Sequence, residues 1–282
     1  MRENFRKLLI FSWLCLVGLG ACKSDFEKIR TSGDTEVLTK NAYQYYEQEE
    51  YFKAQTLLEQ VIPLYRGQKE LEDIYYKYAY TFYHLNKFIL ANYYFKNFAQ
   101  TFPSSDLKEE AEFMAAYSSY ELSPNYRLDQ TYTEQAINEF QVFVNTYPTS
   151  ERVAEINELI DGMRQKQEKK AFESAKLYLD LKQYQAATTS FENMLKDFPE
   201  TTNAREVRYL IAKSHYDLAS NSIYTKQEER FRDAVEAAEI FVNKYPDGEH
   251  YNEVRLILER SRQQLNSITN DGYQSQSTGL RR

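Results

Sequence analysis

The chain has 282 residues and a net charge of −7, so its length allows one or two domains. This acidity argues against nucleic acid or an anionic lipid surface as the main partner. Tyrosine is abundant, with 25 residues, whereas glycine and proline number only 8 and 6. Few signals for strands and tight turns are therefore present.

The N-terminal segment 1–21 has the pattern of a secretory signal peptide. Basic residues precede an apolar run over 8–19, which is too short to span a bilayer as a helix. The run ends in Leu-Gly-Ala-Cys at 19–22, which resembles the lipobox of bacterial lipoproteins. That resemblance implies cleavage before Cys22 and acylation of this residue, which would anchor the mature chain without spanning the membrane. The alternative is an ordinary secretory signal that happens to be followed by a cysteine.

Five copies of one helical pattern follow. Each copy ends in an aromatic residue, and these residues are Tyr65, Phe102, Tyr147, Phe198 and Tyr245. Alanine stands eleven residues before the aromatic residue in every copy, and apolar residues stand seven and four residues before it. These offsets form one face of an α-helix. Proline follows the aromatic residue in four copies and ends the helix, and Arg66 replaces it in the first copy.

A second amphipathic helix precedes each of these helices. Ala42, Ala79 and Ala175 lie 23 residues before their terminal aromatic residues. Two antiparallel helices, each with a central alanine, form the tetratricopeptide pattern. The sequence therefore predicts an all-α fold, a right-handed superhelical solenoid of about five helix pairs with a C-terminal capping helix.

The repeats are longer than the consensus of about 34 residues. We place the excess between the two helices of the third copy, at 123–131, and of the fifth copy, at 220–229. The charged segment 150–170 is predicted to be helical and continuous with the first helix of the fourth copy. The predicted organisation is a signal peptide over 1–21, a lipidated tether over 22–35, repeats one to three over 36–149, a linking helix with repeats four and five and the capping helix over 150–267, and a disordered tail over 268–282.

Features of an enzyme are absent from the sequence. The three histidines, His84, His215 and His250, are far apart and have no second ligand at helical spacing. No Gly-rich phosphate loop, HExxH or GxSxG motif occurs. We therefore predict no catalytic residues, no metal site and no cofactor.

The most distinctive feature of the mature chain is a cluster of tyrosines on the first helices of repeats one and two. Its members are Tyr43, Tyr46, Tyr76, Tyr80 and Tyr83. Tyrosine offers rigid contact area together with a hydroxyl group, which suits the binding of peptides. The alternative is packing between repeats with hydroxyl groups at the rim, and the sequence leaves both open.

The insertion SPNYRLDQTYTEQA stands where a tight turn belongs in the third repeat. It contains Arg127 and Asp129, and Thr131 has Glu134 three residues later, the spacing of a capping box. Together with the lipobox, the five repeats and the helix NEFQVFVNTYPTS, it resembles the BamD family of outer-membrane β-barrel assembly lipoproteins. The tyrosine content and the start CKSDFEKI are similar to the Bacteroidetes branch. The alternative role of Arg127 and Asp129 is to hold the loop against its own repeat.

The resemblance implies a non-enzymatic lipoprotein on the periplasmic face of the outer membrane, held there by its lipid alone. Its N-terminal repeats are expected to bind C-terminal signals of unfolded barrel proteins. Its C-terminal repeats are expected to dock on the POTRA domains of a BamA-like barrel subunit. The alternative is another periplasmic tetratricopeptide scaffold lipoprotein, which coordinates peptidoglycan synthesis. A coiled-coil segment would favour that alternative, and the sequence has no sustained heptads.

Overall fold

A computed structural model describes residues 25–279, with side chains described through residue 270. Cys22 and the predicted signal peptide lie outside the described residues. No strand occurs between residues 25 and 279. The helices of this part of the chain are α1 (Asp25–Arg30), α2 (Thr35–Glu47), α3 (Tyr51–Val61), a 3-10 helix (Ile62–Tyr65), α4 (Leu71–His84), α5 (Phe88–Thr101), α6 (Lys108–Glu121), α7 (Thr131–Thr146), α8 (Val153–Asp180), α9 (Tyr184–Asp197), α10 (Ala204–Ser220), α11 (Tyr224–Lys244) and α12 (Tyr251–Gly279).

The chain divides into two compact units. Unit 1 extends to Pro124 and also includes Thr131–Val153, whereas unit 2 comprises Asn125–Gln130 and the chain from Ala154 onward. Within the described residues, no helix has an apolar stretch of the length needed to cross a bilayer.

Unit 1 contains three helix pairs. Its successive helices, from α2 to α7, pack against one another. The second helix of each pair buries the alanine that stands eleven residues before its terminal aromatic residue. These alanines are Ala54, Ala91 and Ala136. Because alanine is small, the paired helices approach closely, and Leu58, Phe95 and Phe140 one turn later fill the space between them. Complete burial of one such side chain contributes about 1.5–3 kcal/mol.

The turn between paired helices has the same form in three repeats. One residue of each turn has a positive φ of 56–60°, and these residues are Glu49, Asn86 and Lys182. In the first repeat, the Glu50 N–H donates to the Tyr45 carbonyl at 2.8 Å, and the Glu49 N–H donates to the Tyr46 carbonyl at 3.0 Å. This pair of bonds is the Schellman motif, which satisfies the last carbonyls of a helix and reverses the chain within three residues.

Unit 2 begins with α8, a single helix across the predicted linking segment and the first helix of repeat four. Helices α9 to α12 pack in succession, and α10 also contacts α12. Phe191 and Phe241 are fully buried in the core of this unit together with Ala175 of α8. The rings of Phe172 and Phe191 meet at 6.2 Å, which joins α8 to α9.

The structure differs from the sequence prediction at the insertion of repeat five. Helix α10 ends at Ser220 and α11 begins at Tyr224, so a connection of residues 221–223 replaces the predicted insertion over 220–229. The segment 224–229 contains Lys, Gln and Glu but no glycine or proline, and these residues propagate a helix readily. Most of the excess length therefore extends α11 by more than one turn.

The chain also departs from the prediction at its ends. Helix α12 continues to Gly279, well into the predicted disordered tail over 268–282. Ile268 is only 9% exposed and packs with Ala219 and Phe231, and this burial stabilises the additional turn. Helix α1 occupies part of the predicted tether, and its Phe26 meets the Tyr45 ring at 5.8 Å.

Candidate peptide-binding surface

A buried alanine marks the same position in the first helix of all five repeats. The five residues are Ala42, Ala79, Ala116, Ala175 and Ala212. The three in unit 1 are spaced 37 residues apart, and the two in unit 2 have the same spacing. Residues one and four positions after the alanine therefore occupy equivalent places on each first helix.

In unit 1 all of these equivalent places carry tyrosine. The six residues are Tyr43, Tyr80 and Tyr117 at the first place, and Tyr46, Tyr83 and Tyr120 at the second. All are partly exposed, and together with Tyr76 they form what we call the tyrosine surface. Tyr117 and Tyr120 are not in the predicted cluster, because the insertion lengthens the third repeat and shifts a backward count from its terminal aromatic residue. The 37-residue spacing between the alanines of the first helices is the sequence signal that identifies these two tyrosines.

The rings of Tyr76 and Tyr80 are packed against the core of unit 1. Tyr80 meets Phe95 edge to face at 4.9 Å, and Tyr76 meets Phe98 at 5.3 Å. The two tyrosine rings also contact each other at 4.9 Å. Each ring therefore packs between helices while its hydroxyl group remains at the edge, which agrees with the packing alternative. Binding of a peptide by these two residues stays a prediction.

The hydroxyl groups form a short chain of hydrogen bonds. The Tyr76 hydroxyl donates to the Tyr80 hydroxyl at 3.4 Å, and the Tyr80 hydroxyl donates to Oε1 of Glu110 at 3.1 Å. Nη2 of Arg152 donates a hydrogen bond to Oε2 of the same carboxylate at 2.5 Å. Burial, followed by the hydrogen bond with Tyr76, raises the pKa of Tyr80, so this hydroxyl remains a donor at neutral pH.

Tyr43 and Tyr46 are joined to the next first helix by a cation. The ammonium group of Lys77 lies 5.6 Å from the Tyr43 ring centroid and 4.8 Å from that of Tyr46. The same ammonium group is 3.8 Å from Oε1 of Glu47. Burial raises the pKa of both tyrosines, and the hydrogen bond with Asp73 adds to this effect at Tyr43. Both hydroxyl groups therefore stay protonated at neutral pH.

His84 lies among four tyrosine rings at the C-terminal end of α4. Its imidazole stacks on Tyr51 at 4.1 Å, and the rings of Tyr46, Tyr80 and Tyr83 have centroids between 5.8 and 6.3 Å away. Burial lowers the pKa of His84, which favours the neutral imidazole in this stack. Tyr51 was not predicted as a site residue, since it lies on a second helix rather than a first one.

The predicted insertion residues fall into different parts of the molecule. Arg127 and Asp129 lie in Asn125–Gln130, which belongs to unit 2, whereas Thr131 begins α7 in unit 1. All three residues are exposed. Among the described residues, no group of three or more His, Cys, Asp and Glu side chains lies close enough together to hold a metal ion.

The paired helices, their buried alanines and their shared turns define a tetratricopeptide-repeat protein, as the sequence predicts. The family described as YfiO, outer membrane lipoprotein, matches residues 32–207, from the residues before α2 to the first turn of α10. The chain belongs to this family of outer membrane lipoproteins, which confirms the predicted BamD-family resemblance.

Solved structures of other tetratricopeptide proteins are similar to this chain. The P58(IPK) TPR domain is 16% identical, with a TM-score of 0.38 over 83% of this chain and 66% of that chain. A TPR-repeat protein from Bacteroides fragilis NCTC 9343 is 12% identical, with a TM-score of 0.35 over 82% of this chain and 99% of that chain. A search of curated proteins finds no match.

Proposed function

We propose that this chain is a non-enzymatic lipoprotein subunit of the machinery that assembles β-barrel proteins in the outer membrane. Membership of the outer membrane lipoprotein family supports this role. The observation that carries the proposal is the tyrosine surface, which repeats across three first helices of unit 1. Acylation of Cys22 holds the protein on the periplasmic face of the membrane.

The tyrosine surface binds the C-terminal signal of an unfolded barrel protein. Such a signal is extended and ends in an aromatic residue, which stacks on the partly exposed rings of Tyr83 and Tyr117. These two rings have centroids 6.3 Å apart and belong to neighbouring first helices. One aromatic pair contributes about 0.5–1.5 kcal/mol beyond its buried area, so several pairs along the peptide give selective but reversible binding.

Unit 2 docks on the POTRA domains of a BamA-like barrel subunit. The physical support is a difference in surface chemistry, since the place directly after the buried alanine carries tyrosine in unit 1 but Lys176 and Lys213 in unit 2. Two surfaces of different chemistry allow one subunit to hold an unfolded client and a folded partner at the same time.

A pull-down from gently solubilised membranes tests this function. The full chain carries a C-terminal tag, and mass spectrometry identifies the proteins that accompany it. We expect a β-barrel protein with POTRA domains in stoichiometric amount. Cell-wall enzymes in its place would favour the scaffold for peptidoglycan synthesis, and the absence of any barrel protein would refute the assembly role.

A further inference from the structure

The insertion of repeat three and helix α8 enclose a cleft in unit 2. The cleft has a volume of about 440 Å³, and Tyr126, Arg127, Lys170, Lys176 and Leu177 line it. We call it the basic cleft, although Glu173 and Asp180 also contribute to its lining. Among its lining residues, the function proposed above involves only Lys176, and it assigns no role to the cleft itself.

The backbone of the insertion is held in one conformation. Gln130 is only 6% exposed, and its Nε2 donates to the carbonyl groups of Asn125 and Leu128, both at 3.0 Å. Nζ of Lys170 donates to the same Leu128 carbonyl at 2.5 Å, which fixes the loop to α8. A loop that is already ordered loses little conformational entropy when a partner binds.

The cations of the cleft are available to a partner. The guanidinium of Arg127 lies 5.3 Å from the Tyr126 ring centroid, and the ammonium group of Lys169 lies 4.7 Å from the same centroid. Arg127 and Lys176 line the cleft, whereas Lys169 only contacts the ring of Tyr126. Within the described residues, none of these three side chains forms a salt bridge. A group of unpaired cations in a chain of net charge −7 attracts carboxylates selectively.

Exposed aliphatic side chains lie beside these cations. Leu128 of the insertion is 60% exposed, Leu177 of α8 is 56% exposed, and Leu181, directly after the end of α8, is 58% exposed. Each would gain stability from being covered, because burial of apolar surface is favourable by roughly 25 cal/mol per Å². Unpaired cations beside exposed leucines therefore favour a binding partner that carries both carboxylates and apolar side chains.

We propose that the basic cleft binds an acidic segment of a partner protein. Carboxylates of this segment meet Arg127 and Lys176, and one of its apolar side chains covers Leu128 and Leu177. A protein segment fits better than an anionic membrane, because Glu173 and Asp180 line the same cleft as the cations and repel a continuous layer of phosphates. The cleft is concave and can accommodate a side chain of a protein segment, whereas a flat membrane surface has no side chain to insert.

A binding assay with the full chain tests the proposal. The probes are a fluorescent peptide of alternating Glu and Leu, the matching peptide of Lys and Leu, and vesicles that contain anionic phospholipid. We expect the acidic peptide alone to bind, with an affinity that falls as salt is added. Arg127→Glu should weaken this binding roughly tenfold, because a charge at the contact changes from attractive to repulsive.

Arg164→Glu is the matched control. Arg164 is exposed on the same helix and does not line the cleft, so its reversal should change the affinity by less than about twofold. Lys176→Glu provides a second variant in the cleft, and thermal unfolding verifies that each variant is folded. Equal effects of Arg127→Glu and Arg164→Glu, binding of the Lys–Leu peptide, or binding of vesicles alone would each overturn the proposal.

A photo-crosslinking residue at position 128 identifies the partner in membranes. We expect a crosslink to a protein segment rich in Asp and Glu that Arg127→Glu abolishes. A crosslink to lipid only, or to no molecule, would contradict the proposal. The result is separate from the pull-down. A barrel protein recovered without this crosslink would leave the assembly function intact and remove the cleft proposal. A crosslink to an acidic segment, in a protein whose pull-down recovers no barrel protein, would support the cleft proposal and remove the assembly function.

Discussion

The two units use the same helix register but place different chemistry on it. One residue after the buried alanine, unit 1 carries Tyr43, Tyr80 and Tyr117, whereas unit 2 carries Lys176 and Lys213. The alanine itself is buried in both units because close helix packing requires it. The neighbouring position is free of that requirement, so it can determine which ligands each unit binds.

A hydrogen bond from a tyrosine hydroxyl to a glutamate occurs in each unit, although the two tyrosines occupy different places in the register. In unit 1 the Tyr80 hydroxyl donates to Glu110, and in unit 2 the Tyr209 hydroxyl donates to Glu253 at 2.9 Å. In unit 2, Nζ of Lys213 also donates to the Tyr209 hydroxyl at 3.4 Å. The cation therefore occupies a place close to the tyrosine–glutamate pair, which makes the equivalent surface of unit 2 more polar.

The largest expected effect comes from equivalent core positions. Phe95 in unit 1 and Phe191 in unit 2 are both fully buried, seven residues before the terminal aromatic residue of their repeats. Replacement of either one by Ala should lower the free energy of unfolding by about 3–5 kcal/mol, because a cavity is left in a packed core. Urea unfolding of the two variants measures this loss. A cost below about 1 kcal/mol at either position would contradict the equal packing of the two units.

The next prediction concerns the tyrosine surface alone. The double variant with Tyr83→Ala and Tyr117→Ala should weaken binding of a barrel-signal peptide roughly tenfold, because two exposed stacking partners are lost. Fluorescence anisotropy of a labelled peptide measures the affinity. Tyr224→Ala in unit 2 is the control, since Tyr224 is exposed and outside the surface. Unchanged peptide binding by a folded double variant would remove the tyrosine surface from the proposal.

Tyr76 and Tyr80 require a different substitution. Their rings pack on Phe98 and Phe95, so alanine would damage the core as well as the surface. Replacement of both tyrosines by Phe retains the rings and removes only the hydroxyl groups. A loss of peptide affinity in this variant would then be assigned to hydrogen bonding rather than to packing.

How far the sequence predicts this molecule depends on the range of the interactions. The helix pairs were predictable because alanine and aromatic residues at fixed offsets specify local helix faces. The extra turn at Ile268 was not predictable from local sequence, because contacts with the distant residues Ala219 and Phe231 stabilise it. The insertion residues 125–130 lie in unit 2, where Lys170 donates to the carbonyl of Leu128, 42 residues away in the sequence. Single-sequence periodicity contains no information on such pairs.

A smaller effect is expected at the shared turns. Lys182 has a φ of 59°, a conformation that costs a residue with a side chain about 1 kcal/mol and costs glycine little. Lys182→Gly should therefore raise the thermal unfolding temperature slightly, with a gain of at most about 0.5 kcal/mol once the entropic cost of glycine is subtracted. Asn86→Gly should give a smaller gain in stability, because asparagine tolerates this conformation better than lysine does. The reverse order in calorimetry would show that the side chain of Asn86, rather than backbone strain, dominates.

The smallest effect is a dependence of stability on pH that unit 1 owes to His84. Burial lowers the pKa of His84 in the folded chain, while Glu49 opposes this shift. The unfolded chain, with an ordinary histidine pKa of about 6.5, therefore binds the proton more tightly. The stabilising contribution is complete above this pH and is lost as the pH falls from 6.5 towards the folded pKa.

His84→Phe retains a ring against Tyr51, so the variant should unfold with a weaker pH dependence between 7 and 5. An unchanged slope in urea titrations at these two pH values would mean that the imidazole protonates without leaving the stack, as a cation held by the surrounding tyrosine rings.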